Sequence, residues 1–310
     1  MLAGLLAAST VIVHAATFAE NFAANPLQDG WQISGNTNLF QWNSTNRNLN
    51  VTWDSSQSNS YFYHPLGTIL SASDNFSLEF DLQLTDATVS GSFEMAVGLL
   101  NMCDATNAGF SRAQVNNPNL CEFDYFPDGG YGPSLDATLV DTNDIFYFAY
   151  NDTLPLNVGV SYHIVLTHVA GQSGITGEVL TNGQIYAALS TIYDEGVGNF
   201  RIGSVSITSY TSTDDPYGDT LLAHGTVGNI LVTLPPPPVQ NCTGTLSNGV
   251  WQAQFCSGSS NWLYTLQRTT DFRSWTNAGP ATPGNATNLC LPDLAPPLDK
   301  AFYRVNATLP

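Results

Sequence analysis

The chain has 310 residues, 43% of them apolar and only 10% charged, with 25 carboxylates against seven lysines and arginines for a net charge of −18. That apolar content with so little charge excludes a disordered chain, and the acidic balance excludes nucleic acid, whose phosphates a polyanion repels. It favours neutral glycans over sulfated or uronic ones, and it attracts cations.

Residues 1–16 form an apolar run ending in small side chains, the pattern of a secretory signal peptide without its basic leader. A secreted, extracellular or cell-surface protein is therefore expected. No other apolar run reaches the ~18–20 residues of a membrane-spanning helix. Residues 17–233 read as all-β: short runs of aromatic and β-branched residues alternate with Gly, Asn, Asp and Ser turns. Strands are expected at 76–84, 93–99, 122–128, 145–150, 162–169, 200–207 and 225–232, with a hairpin at 177–187 turning on Asn182-Gly183. About a dozen such strands over ~215 residues suit a large two-sheet jelly-roll sandwich. Of the 25 acids, 22 precede residue 234, against Arg47, Arg112 and Arg201 alone.

Residues 234–239 are a stiff proline spacer, and 240–310 form a small β-sandwich module with strands at 249–255, 262–268 and 300–305. Five cysteines, at 103, 121, 242, 256 and 290, suit disulfides in a secreted chain. Cys103 and Cys121 are the natural first pair, and two of Cys242, Cys256 and Cys290 can form another.

The stretch richest in chemistry is Glu122-Phe-Asp-Tyr-Phe-Pro-Asp128. Glu122 and Asp124 alternate with aromatics, so they share one strand face, about 6–7 Å apart. Carboxylates that close suit a bound cation, a shared proton or chemistry on a sugar. A second acidic loop, residues 214–219, is either a calcium loop or a solvated turn. Trp31, Trp42, Trp53 and Tyr125 offer aromatic faces that stack on sugar rings, and their alternation suits a sandwich core as well. His64, His163, His168 and His224 have no partner at metal spacing and read as ordinary strand or loop histidines. No nucleophile elbow or phosphate loop supports acyl or phosphoryl transfer.

On the 122–128 strand, its place in mid-domain and its β-only surroundings, the first part resembles the concanavalin A-like lectin and glucanase superfamily. The resemblance covers about 200 residues by architecture and about 15 by motif. Its legume-lectin branch implies a metal-shaped sugar site, in which Asp124, the Phe126 carbonyl and Asp128 would bind Ca2+. The further Asp and the His of that pattern are absent, and Asp136 is the substitute ligand at hand. The glucanase branch implies Glu122 as nucleophile beside Asp124. Pro127 stands where that branch has its general acid, and Asp128 lies about 20 Å from Glu122 along an extended strand, against ~5–5.5 Å for a retaining pair. The tail resembles the small fibronectin-like modules of secreted bacterial proteins of Verrucomicrobia type, on Tyr264, Leu266, Trp275 and 302–305. Together these imply a secreted, non-catalytic carbohydrate-binding protein. A glycoside hydrolase or polysaccharide lyase using Glu122 is the alternative, and a structural surface or filament component a further one.

Overall fold

A computed structural model describes residues 16–235, 239–257, 262–285 and 288–308. The expected signal segment, apart from Ala16, and positions 236–238 of the proline spacer lie outside those residues. Up to Leu234 the described chain forms sixteen strands in order. They are β1 (Ala16–Glu20), β2 (Gln32–Ser34), β3 (Phe40–Asn43), β4 (Asn48–Asp54), β5 (Ser60–Leu70), β6 (Phe76–Ser90), β7 (Met95–Leu100) and β8 (Leu120–Phe126). Then come β9 (Ser134–Val140), β10 (Phe146–Asp152), β11 (Ser161–His168), β12 (Ile175–Thr181), β13 (Gln184–Leu189), β14 (Thr191–Asp194), β15 (Ile202–Ser209) and β16 (Thr220–Leu234). One α-helical turn, α1 (Met102–Ala105), and two short 3-10 turns, Pro26–Gln28 and Thr37–Leu39, interrupt them.

The strands build two antiparallel eight-stranded sheets, packed face to face as a jelly-roll sandwich. One runs β13-β12-β11-β6-β16-β4-β3, with β1 also on β16; the other runs β14-β10-β9-β8-β7-β15-β5-β2. The period of two is plain in β6, where Phe76, Leu78, Phe80, Leu82 and Leu84 point inward between half-exposed polar residues. The partner strand β11 answers with Tyr162, Ile164, Leu166 and His168. Each such Leu, Ile or Phe contributes about 1.5–3 kcal/mol when fully buried. The expected hairpin is β12–β13, and Asn182 and Gly183 both take positive φ (51° and 72°), as its tight turn requires. The strands beyond the expected dozen include β1–β3 and β14, whose three to five residues are too few to display a period.

The expected Cys103–Cys121 disulfide does not form: both are free thiols. Strand alternation turns Cys121 inward with Phe123 and Tyr125, whereas Cys103 sits exposed on α1.

Beyond residue 238 a second, smaller set of sheets surrounds its own core. A three-stranded sheet pairs Val250–Ser257 with Val239–Ser247 and Asn288–Asp293. A four-stranded one is centred on Leu263–Thr269, flanked by Phe302–Thr308. Phe255, Trp262, Tyr264, Leu266, Leu289 and Leu291 are buried among these strands.

Candidate functional site

Most strands of the sandwich bury one face. β8 buries both: every residue from Leu120 to Tyr125 is inaccessible. Cys121, Phe123 and Tyr125 fill the inter-sheet core, so Glu122 and Asp124 must be covered on the outer face. Strand register fixes their neighbours there. Gly98, Glu122, Thr138, Phe148 and Tyr193 stand opposite one another across β7, β8, β9, β10 and β14. The next row is Ala96, Asp124, Asp136, Tyr150 and Thr191. The outer face is thus graded from carboxylates at its centre to aromatics at its edge.

The cover over the carboxylates is the excursion between β7 and β8, residues 101–119. Its base is closed by Asn101 donating its backbone N–H to the Asn119 carbonyl (3.0 Å), and by the Asn119 amide donating to Asp104 (2.7 Å). Ser111 and Asn116 bridge each other, and the tight turn between them holds Val115 at φ 54°. This turn aims Arg112 down onto the acids. Its Nη2 donates to Asp124 Oδ2 at 2.8 Å, and its Nε lies 3.2 Å from Glu94 Oε1 and 3.7 Å from Glu122 Oε2. The guanidinium also lies 5.6 Å from the Tyr210 ring centroid. Thr138 Oγ1 donates to Asp124 Oδ2 (2.7 Å), and the Tyr210 hydroxyl donates to Glu122 Oε1 (2.6 Å).

One guanidinium cannot neutralise three buried carboxylates, and the cluster resolves the excess by holding protons. Burial, reinforced by the charge of Asp124, pushes the Glu122 carboxyl up to about 8, although Arg112 and the Tyr210 hydrogen bond pull it down. Burial raises Glu94 as well. Burial works against the Arg112 charge, but Asp124, Glu94 and Glu122 more than offset it, so the guanidinium stays protonated. Asp136, across the ladder from Asp124, is raised to about 7 by burial, against a hydrogen bond from Ser134.

Beside the cluster the outer face opens. A cleft of about 260 Å³ lies between the excursion (Arg112, Val115, Asn117) and Phe126, Asp136, Thr138, Phe146 and Phe148 of the sheet. Its aromatic side continues to the sheet edge. Tyr193 stacks on Phe148 (centroids 5.2 Å) and on Phe146 (5.4 Å), and Phe148 lies 5.4 Å from Tyr150. The arrangement offers ring faces beside a polar wall of Arg112, Asn117, Thr138 and Asp136.

The aromatic residues singled out in the sequence are elsewhere. Trp31 and Trp53 are fully buried, Trp31 stacked on Phe62 at 4.6 Å with its Nε1 donating to Glu20. Trp42 packs against the same core and donates to the Phe22 carbonyl. Tyr125 is buried between the sheets, its hydroxyl accepting from the Leu156 N–H. Strand alternation turns Trp53 and Tyr125 inward, Trp31 is buried just ahead of β2, and Trp42 is half-buried at the rim of the core.

Nor do the expected calcium ligands fit the ion. Asp124 gives its Oδ2 to Arg112 and Thr138 and keeps Oδ1 buried without a hydrogen-bond partner, and Asp136 accepts from Ser134. Asp128 is exposed and closes its own turn by accepting from the Gly130 N–H. Phe126 pairs with Ser134 in the β8–β9 ladder. Among the described residues no group of three or more His, Cys, Asp or Glu is placed to hold a metal. The 214–219 loop folds on itself, with Asp215 accepting from the Tyr217 and Asp219 N–H groups. Glu122, the nucleophile of the glucanase pattern, is 0% exposed and has no surface to offer a substrate. His163 and His224 do find partners across the strands, Asp81 (2.8 Å) and Asp86 (2.7 Å), on the opposite sheet.

Arg112, Glu94, Thr138 and Tyr210 were not legible as a site. The one available signal was the rarity of arginine: three in a stretch holding 22 acids.

No protein-family model and no curated protein matches the chain. Solved structures do. They include a legume lectin-like domain from Entamoeba histolytica (12% identity, 73% of this chain and 98% of that one, TM-score 0.44). Peanut lectin with a nine-residue peptide aligns at 12% identity over 71% and 99%, TM-score 0.43. Alginate lyase Aly36B aligns at 12% identity over 71% and 97%, TM-score 0.38. With identities this low and TM-scores below 0.5, function has to be read from the site itself.

Proposed function

We propose that this is a secreted carbohydrate-binding protein that holds a neutral glycan on the outer face of its second sheet. The observation that carries the reading is the aromatic ladder Phe146, Phe148, Tyr150 and Tyr193, continuous with a cleft walled by Arg112, Asn117, Thr138 and Asp136. Sugar rings pair an apolar face with a rim of hydroxyls, and this surface offers a partner to each. The acid-rich first part disfavours uronic and sulfated chains. Secretion is supported by the apolar 1–16 run. Burial of Glu122 counts against the hydrolase alternative.

The test is isothermal titration of the full chain against a panel of neutral β-glucans and galactans, with alginate as the acidic comparison. Binding to a neutral member is expected, weakened about fivefold or more by combined Phe148→Ala and Tyr193→Ala, since each ring contact is worth about 0.5–1.5 kcal/mol. Absence of binding to every glycan, or an unchanged affinity in the double variant, overturns the reading.

A further inference from the structure

The outer face of β8 poses a problem that its sequence pattern alone does not solve. Glu122 and Asp124 gather with Glu94 around one guanidinium, and all three are almost completely withdrawn from water. Such a cluster needs a cation, and the resemblance in the sequence implies a divalent one. The geometry points to a different solution: we propose that the Arg112 guanidinium is the resident cation of this site, so that the fold and its cleft need no calcium.

Three independent observations agree. Arg112 is the one basic side chain within ion-pair distance of any of these acids among the described residues, and it reaches all three. Its side chain is only 10% exposed, although it comes from an irregular excursion that would otherwise leave it in solvent. The cluster also keeps one oxygen each on Glu122 (Oε2) and Asp124 (Oδ1) buried without a hydrogen-bond partner. Those oxygens are stabilised by the field of a neighbouring positive charge rather than by a donor of their own. A guanidinium is suited to the task because its planar fork serves several carboxylates at once, where a lysine offers a single point charge. The same excursion carries Val115 and Asn117 to the cleft wall, which makes Arg112 a positioning residue for that wall.

The inference stands without the glycan reading, because its test reads melting and refolding and uses no sugar. The full chain is melted in millimolar CaCl2 and in EDTA, as wild type, Arg112→Lys and Arg112→Ala. The wild-type midpoint is expected to be the same in both. Arg112→Ala leaves three buried carboxylates without their counter-charge and should melt more than about 5 °C below wild type in both media. Arg112→Lys, which keeps a positive charge, should fall between them. Should Arg112→Ala fail to fold, the refolding yield of Arg112→Lys from urea, expected below that of wild type and unchanged by calcium, reads the same dependence. A wild-type midpoint that drops in EDTA, or an Arg112→Ala protein as stable as wild type, overturns it.

Discussion

At the scale of single residues the site turns on Glu122. It is a carboxyl kept mostly neutral by burial, with a folded pKa of about 8 against an ordinary 4.5. Asp136 follows it, at about 7 against 3.8. Between the lower and upper values the unfolded chain has released these protons and the folded chain retains them. Their contribution is therefore fully present in acid, declines as pH rises from about 4.5, and is lost once pH passes about 8. Urea midpoints taken from pH 5 to pH 8 should fall. Glu122→Gln, whose amide oxygen can still accept from Tyr210 and which has no proton to lose, should fall less steeply and exceed wild type at pH 8. A Glu122→Gln slope equal to that of wild type would contradict the assignment. The sequence made Glu122 and Asp124 visible as a pair on one strand face. It could not show what stood over them, because Arg112 reaches them from an irregular excursion whose shape no periodicity encodes.

At the scale of elements, the β7–β8 pair is built for close approach. Gly98 stands directly opposite Glu122, and a Cβ there would meet Glu122 Cγ at 2.4 Å and the Cys121 carbonyl oxygen at 2.5 Å. Part of that clash is with backbone, so the strands would have to shift. Gly98→Ala is expected to cost about 1–3 kcal/mol in chemical denaturation, as overpacking usually does. Elements were the best-read level of the molecule. The long strands β6 and β11 announce themselves by alternation, and β12–β13 by Asn182-Gly183. The 146–150 run was equally legible as a strand, but not as a ladder of rings open to solvent. Which face of a strand is covered depends on what packs over it, and here the excursion covers β8 and stops short of β10.

For the whole molecule, the two-sheet jelly roll and the small β module follow from composition and turn chemistry, and the core holds without covalent help between Cys103 and Cys121. Melting of the first-part transition should be indifferent to reductant, and Cys103→Ser should leave it in place, whereas Cys121→Ser should lower it by placing a hydroxyl in the core. The uneven charge has its own reach: with 22 of 25 acids before residue 234, raising ionic strength should ease self-repulsion there and improve any weak binding to acidic glycans.

The ladder of rings ends at β14, the last strand of its sheet and only four residues long. Ile192 and Tyr193 are 60% and 46% exposed on it, beside a backbone edge with no further strand among the described residues. A sticky, unpaired edge invites other copies to add to it and seed aggregates. Brevity is one guard, since four residues template few backbone bonds. The adjoining Asp194 and Glu195 are another, because stacking copies would bring like charges together. The surface that favours a sugar therefore carries its own protection against self-assembly, in two acids of which Glu195 also accepts the Tyr193 hydroxyl (3.0 Å) and donates its N–H to the Phe146 carbonyl (3.2 Å).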